Sequence, residues 1–150
     1  MSTTEIRGVM DRQGFYPRHV GLTFPVGWRG HSADQPCVLN HDLYYRDAAG
    51  NLHFAPAGTE TDGASIPRVF WRAVGHPFRS VCLPAAVIHD VYCVQANRLK
   101  DQGHDVAARA MRRMADDLFR EGCRWLGAGR CLSTAYWIGV RCGALAGGTF

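Results

Sequence analysis

The chain of 150 residues is 47% hydrophobic and 20% charged, a composition typical of a globular domain and not of a disordered segment. This length accommodates one core, so we predict a single domain over residues 1–150. The formal net charge is only +4, and a cluster of three arginines (Arg109, Arg112, Arg113) accounts for much of it. A solvated helix face explains that cluster better than a nucleic-acid surface, so we predict no nucleic-acid partner.

The cysteines and the apolar segments indicate the cellular compartment of the protein. None of the six cysteines forms a CxxC pair, which is the usual spacing of zinc ligands. They favour a reducing compartment, with a disulfide as the alternative. The N-terminal segment lacks the apolar region of a secretory signal, so we expect synthesis without a signal peptide. The apolar stretch Cys131–Gly148 is short and contains Arg141, which argues against a membrane span.

The N-terminal half is predicted to form a small antiparallel sheet. Short apolar runs bounded by glycine, proline and asparagine are typical of strands. Three such runs are predicted here: Val20–Phe24, Cys37–Tyr45 and Leu52–Ala55. The segment Asp47–Asn51 has a turn sequence, so the last two strands should pair as a hairpin.

The C-terminal half is predicted to be helical from Ser65 onward. Proline in a first turn and glycine after a last turn mark helix boundaries. These signals predict a short helix over Val69–Val74, longer helices over about 84–99 and 105–124, and a fourth helix with Ser133 as its N-cap. Together the halves predict an α+β fold, with a small antiparallel sheet followed by three or four helices.

The helix that starts near Pro84 carries an adjacent histidine and aspartate in an otherwise apolar sequence. A helix that is apolar on nearly all sides is buried, so the side chains of His89 and Asp90 need compensating partners. The two side chains point about 100° apart, which is unfavourable for a direct hydrogen bond. The two side chains could still face the same cleft, one as a base and the other as a ligand to a cation or to a substrate dipole. Alternatively, His89 bonds a backbone carbonyl and Asp90 pairs with an arginine such as Arg68.

The segment from Thr61 to Pro67 (TDGASIP) joins the predicted sheet to the predicted helices. Gly63 permits a positive φ, and the backbone amides in the first turn of a helix can hold an anion. The structural alternative is an Asx-turn at Asp62 followed by Ser65 as an N-cap. The two interpretations are compatible with each other.

A further carboxylate is expected on the helix over 105–124. Periodicity places Met111, Met114, Ala115 and Leu118 on its core face, with Asp116 on one flank and Asp117 on the other. Either acid could accept a proton from His89 and orient the imidazole. The alternative is two solvated acids that pair with Arg112, Arg113 and Arg120.

The motifs TDGASIPR, AAVIHD and AD, at residues 61–68, 85–90 and 115–116, together resemble a bacteriophage and prophage family known as domain of unknown function family 1353. The resemblance covers about residues 38–145. It implies that Asp116, and not Asp117, is the family acid. It also implies a phage context, so that the protein is virion-associated or delivered. The family usually has an aromatic residue at the place of Cys93, whereas here Tyr92 lies one position earlier.

A weaker resemblance is to phospholipases of the A2 type, which carry His-Asp within a buried helix. It implies that His89 activates water, that Asp90 binds calcium, and that Asp116 orients the histidine. The glycine-rich, cysteine-containing calcium loop of those enzymes is not visible in this sequence.

These observations favour a hydrolase that acts on an ester or amide of a bacterial envelope component. His89 is the predicted general base, with a pKa near the ordinary ~6.5. Asp116 orients it, Ser65 completes the catalytic set, and Asp90 with Asp62 binds a divalent cation (Ca or Zn) or polarises water. The alternative is a non-enzymatic phage tail, assembly or host-interaction protein whose polar pair only fixes the packing.

Overall fold

The computed structural model of the chain describes residues 11–24, 36–61 and 81–145. Asp62, Ser65, Arg68 and the predicted helix Val69–Val74 lie outside the described residues. The described part is α+β, as predicted. Its N-terminal half forms two small antiparallel sheets, and three helices follow.

The two sheets interleave along the sequence. The strands are β1 (Gly14–Tyr16), β2 (Leu22–Thr23), β3 (Cys37–Leu39), β4 (Leu43–Arg46), β5 (Leu52–Ala55) and β6 (Glu60–Thr61). The first sheet has the strand order β1-β4-β5 and the second sheet β2-β3-β6, with every pairing antiparallel.

The predicted hairpin is confirmed, because β4 pairs with β5 across the turn that starts at Asp47. The Asp47 carboxylate accepts hydrogen bonds from the backbone amide (2.7 Å) and the side-chain amide (2.9 Å) of Asn51. Gly50 adopts a φ of +89°, which glycine adopts without steric cost. The turn is therefore determined by its own residues.

The prediction of a single strand over Cys37–Tyr45 is wrong. The chain bends between β3 and β4, and these strands belong to different sheets. Polar side chains stabilise the bend: Asn40 accepts a hydrogen bond from the Thr23 hydroxyl (2.6 Å), and Asp42 accepts one from the Ala57 amide (2.9 Å). These are contacts over 15 or more residues, which an apolar run does not reveal.

The helices are α1 (Leu83–Asp101), α2 (Asp105–Trp125) and α3 (Arg130–Leu145). The first two begin and end within about two residues of the predicted bounds. The prediction that Ser133 caps the third helix is wrong, because that helix begins at Arg130. Ser133 is fully buried inside it, donates to the Arg130 carbonyl (3.1 Å) and accepts from Arg124 Nε (3.3 Å). Its hydroxyl is a packing contact between α2 and α3.

The first half of α1 is the centre of the core. Ala85, Ala86, Val87 and Ile88 are all buried, so the prediction of a buried helix is confirmed there, whereas Val94 in the second half is exposed. Helices α1 and α2 are antiparallel: Ala85 lies beside Gly122, and Asn97 Oδ1 accepts a hydrogen bond from Arg112.

The predicted core face of α2 is partly wrong, because Met114 is 39% exposed while Asp116 is buried. Residues two apart on a helix point about 200° apart, so turning Asp116 inward turns Met114 outward. Ala115 and Leu118 are buried as predicted, and Ala108, Phe119 and Cys123 also lie on the buried face.

Close packing of α2 on the sheet depends on Gly122. A Cβ there would lie 2.8 Å from Phe15 Cζ and 2.9 Å from Ala85 Cβ, and both neighbours are buried in the core. The Phe15 ring itself stacks on Tyr45 at a centroid distance of 4.2 Å. Glycine is therefore required where β1, α1 and α2 meet.

We expect Gly122→Ala to lower the free energy of unfolding by ~1–3 kcal/mol, the usual cost of overpacking a core. Gly129→Ala is the matched control, since nothing lies within 4 Å of the added methyl group, and it should change stability by less than ~0.5 kcal/mol. Urea unfolding of the three proteins measures both values. Equal stability of the two variants would contradict this account of the helix packing.

Candidate functional site

His89 and Asp116 face each other across the antiparallel helices α1 and α2. His89 Nε2 lies 3.1 Å from Asp116 Oδ1, and the two residues are 8% and 5% exposed. An ionised carboxylate only accepts hydrogen bonds, so Nε2 carries the proton and donates it. The Phe119 ring lies against the imidazole at a centroid distance of 5.4 Å. The histidine is therefore held in one orientation, with Nδ1 as its second titratable atom.

Asp90 connects this pair to the second sheet. Its Oδ1 lies 3.7 Å from His89 Nδ1, which is an ion-pair distance but longer than a hydrogen bond. Its Oδ2 accepts a hydrogen bond of 2.5 Å from the Thr61 hydroxyl at the end of β6. The adjacent His-Asp side chains therefore form no direct hydrogen bond, in agreement with their predicted divergence on the helix.

Arg141 of α3 also contacts Asp116, although the sequence did not predict it as a site residue. Its Nε lies 3.2 Å from Asp116 Oδ2, and a second guanidinium nitrogen lies 3.6 Å from Asp117 Oδ1. The guanidinium stacks over Trp137 at 4.5 Å, and the Trp137 indole donates to Asp117 (3.0 Å). Asp116 is thus buried and paired, not a solvated acid. An arginine in the middle of an apolar helix was the signal available in the sequence.

The charges of this group shift two pKa values. Burial alone would lower the pKa of His89, but the interactions with Asp116, Asp90 and Cys93 raise it well above the ordinary 6.5. These interactions favour the cationic imidazole, whereas the sequence alone led us to expect a pKa near 6.5. Burial raises the pKa of Asp90, against the opposing effects of His89 and Thr61.

The described residues do not fit the predicted divalent cation. Asp90 directs one oxygen at the Thr61 hydroxyl and the other towards a cationic imidazole, an arrangement that opposes a second positive charge. Among residues 11–24, 36–61 and 81–145, no group of three or more His, Cys, Asp or Glu side chains is placed to hold a metal ion. The other predicted ligand, Asp62, and the catalytic candidate Ser65 lie outside these ranges.

A second buried histidine, left without a role by the sequence, joins the hairpin to α1. His53 Nε2 lies 3.2 Å from Asp47 Oδ2, and His53 Nδ1 lies 2.8 Å from the Tyr92 hydroxyl. Since Asp47 is also the residue that organises the turn, this chain of contacts fixes the first sheet against α1. Tyr92 therefore has a structural contact of its own, on the sheet side of the helix.

A small α+β domain with a His–Asp pair buried between two antiparallel helices is the class that these observations define. The chain belongs to the DUF1353 family of proteins of unknown function, whose profile matches residues 37–140. This confirms the family resemblance drawn from the motifs. The comparisons give no support to the resemblance to phospholipases.

Two curated relatives come from Sinorhizobium fredii (strain NBRC 101917 / NGR234). The uncharacterized protein y4jT is 41% identical over 66 residues, covering 44% of this chain and 20% of the relative. The uncharacterized protein y4iH is 39% identical over 69 residues, covering 46% of this chain and 29% of the relative. The matched part thus spans less than a third of each relative. No solved structure gives a significant match. None of the helices in the described ranges is both long and apolar enough to cross a membrane.

The charge on His89 should make stability depend on pH. Its folded-state pKa lies above the unfolded value of ~6.5, so its interactions stabilise the fold fully below that pH, and this contribution is lost as the pH rises through the folded-state pKa. We expect the stability advantage of the wild type over His89→Gln to shrink as the pH is raised from about 6 into the alkaline range. Urea unfolding of both proteins across this range measures it. An advantage that stays constant with pH would contradict the raised pKa.

Replacing Arg141 tests the outer ion pair. Arg141→Gln removes one of the two positively charged partners of the buried Asp116 carboxylate, and a hydrogen bond between charged groups contributes ~1.5–3 kcal/mol. Because the Arg141 side chain is 33% exposed, solvent screening should reduce the loss to ~1–2 kcal/mol. Arg109→Gln, at an exposed position of α2, is the control and should cost less than ~0.5 kcal/mol. Similar unfolding midpoints for both variants would show that Arg141 contributes nothing specific.

Proposed function

We propose that the chain is a hydrolase in which His89 is the proton-transfer residue and Asp116 its orienting acid. The proposal rests on the different contacts of the two ring nitrogens of His89. Nε2 is fixed to Asp116 at 3.1 Å, whereas Nδ1 makes no hydrogen bond to an oxygen of the described residues, its nearest carboxylate oxygen lying 3.7 Å away. A base held by an acid on one nitrogen and available on the other is the arrangement that acid–base hydrolysis requires.

The charge state of His89 supports both halves of such a reaction. As the neutral imidazole, Nδ1 takes a proton from the attacking nucleophile. The resulting imidazolium is stabilised by Asp116 and Asp90, and it then donates that proton to the leaving group. Because these carboxylates raise the histidine pKa, the basic form becomes more abundant as the pH rises above neutrality.

The substrate class that we propose is an ester or amide of a bacterial envelope component. It is supported by the resemblance of the motifs to a phage and prophage family, in which a protein that acts on the envelope would be virion-associated or delivered. Asp62 follows Thr61 directly in the sequence, and Thr61 contacts Asp90. Asp62 as a cation ligand and Ser65 as a catalytic residue stay predictions from the sequence.

A second candidate function, a structural phage tail or assembly protein, is favoured by burial. His89 and Asp116 are only 8% and 5% exposed, and both Asp116 oxygens and both Asp90 oxygens face polar partners. A packing role needs no more than this.

Replacing His89 separates the two functions. If His89 transfers protons, His89→Gln should lower the hydrolysis rate by ~10²–10⁴, the usual contribution of a positioned acid–base group. The probes are p-nitrophenyl acetate for ester hydrolysis and acetyl-p-nitroanilide for amide hydrolysis, with product release followed by absorbance. Thermal unfolding of the same samples shows whether the variant is folded.

The control is His104→Gln, because His104 is exposed and its side chain makes no capping hydrogen bond. It should keep the full rate. A folded His89→Gln variant that hydrolyses both probes as fast as His104→Gln would refute the hydrolase. Absence of hydrolysis in every protein, with a lowered melting temperature for His89→Gln alone, would favour the structural protein.

A further inference from the structure

We propose that Cys93 is the nucleophile of this site and carries the acyl group of the substrate as a thioester. The inference rests on the proposed hydrolase, and it adds the atom that attacks. In the sequence, Cys93 differs from the other cysteines only in standing where the resembled family usually has an aromatic residue. Three side chains with complementary chemistry, a thiol, an imidazole and a carboxylate, lie together where α1 faces α2.

The geometry starts from the spacing of the two residues on α1. Cys93 lies four residues after His89, so both side chains are on the same side of the helix. The sulfur lies 3.7 Å from Nδ1 and 3.6 Å from Nε2. Because it is nearly equidistant from both nitrogens, it is not on the axis of either lone pair. The proposed proton transfer therefore requires the Cys93 side chain to rotate towards Nδ1, while Nε2 stays on Asp116.

The surrounding charges favour proton transfer from sulfur to imidazole. In the proposed resting state the Cys93 proton is already on Nδ1, so that a thiolate lies next to the imidazolium, and the net charge equals that of a thiol next to a neutral imidazole. The imidazolium is stabilised by Asp116 from α2 and by Asp90 from α1. Arg141 from α3 balances the Asp116 charge, which limits repulsion of the thiolate. A thiolate next to a cationic histidine is the usual form of a nucleophilic cysteine.

The reaction follows from these positions. The Cys93 sulfur attacks the substrate carbonyl carbon, so that a carbon–sulfur bond forms and the bond to the leaving oxygen or nitrogen breaks. The leaving group takes the proton from His89 Nδ1. Water then attacks the thioester while Nδ1 accepts its proton, the carbon–sulfur bond breaks, and the thiolate is regenerated with a free carboxylic acid as product. No oxidant or further reactant is needed.

The chain contains its own reference thiols for a test. Cys131 and Cys142 are exposed, Cys123 is fully buried, and Cys93 is 8% exposed. An ordinary thiol has a pKa of ~8.5 and is almost entirely protonated near pH 6. The native protein is treated with iodoacetamide at about that pH, and the alkylation rate of each cysteine is followed by peptide mass spectrometry.

We expect Cys93 to be alkylated ~10-fold or more faster than Cys131 and Cys142, despite its lower exposure. His89→Gln should abolish this advantage and leave the two reference rates unchanged. Alkylation of Cys93 as slow as that of Cys123 in the folded wild type would overturn the proposal, whether or not any ester is hydrolysed.

A second measurement identifies the acyl group. The wild type is mixed with p-nitrophenyl acetate and quenched in acid, and the acetylated residue is located by peptide mass spectrometry. An acetyl group on Cys93, absent from His89→Gln, supports the proposal. Cys93→Ala should then lose hydrolysis, and its small side chain should allow folding, which thermal unfolding checks.

Two results distinguish the two proposals. Hydrolysis that persists in folded Cys93→Ala but is lost in folded His89→Gln would overturn the nucleophile and leave the acid–base role of His89 intact. Hydrolysis that persists in folded His89→Gln would overturn the proposed function, and the nucleophile, which depends on it, would fall as well.

Discussion

The placement of a cationic histidine inside the domain is the constraint on which the rest of the structure depends. His89 lies in the most buried helix, and a charged imidazole is expensive there unless carboxylates surround it. Asp116 supplies the hydrogen bond, Asp90 a second negative charge, and Arg141 balances the excess. Thr61 then satisfies Asp90. One chain of polar contacts thus crosses from β6 through α1 and α2 to α3.

This chain of contacts determines how the helices are rotated. Hydrophobic periodicity alone would place Met114 in the core, but Asp116 must point at His89, and the helix cannot bury both. The observed rotation of α2 buries Asp116 beside His89 and leaves Met114 partly exposed. The same requirement brings α3 alongside α2, because Arg141 reaches Asp116 only from there. Packing then fills the remaining space, with Gly122 allowing α2 to approach the sheet.

The features that the sequence predicted correctly are those that depend on residues close together in the chain. The hairpin at Asp47, the bounds of α1 and α2 and the burial of His89 all follow from signals within a few residues. The motif resemblance selected Asp116 over Asp117, a choice that periodicity left open. The failures involve distant partners: Arg141 meets an acid 25 residues earlier in the sequence, and His53 meets Tyr92 from 39 residues away. The local sequence predicts Ser133 as a cap, because its burial against a neighbouring helix cannot be inferred from adjacent residues.

The proton on His89 links stability to chemistry. In the resting state that proton compensates the buried carboxylates and so stabilises the fold. A general base must lose it, and its loss to solvent would leave Arg141 as the one cation of this group beside the Asp90 and Asp116 carboxylates. A Cys93 thiolate beside the imidazolium avoids this difficulty, because the nucleophile is already deprotonated while His89 keeps its proton. Within this buried site, a nucleophile that exchanges its proton with His89 is therefore favoured over one that requires the proton to leave first.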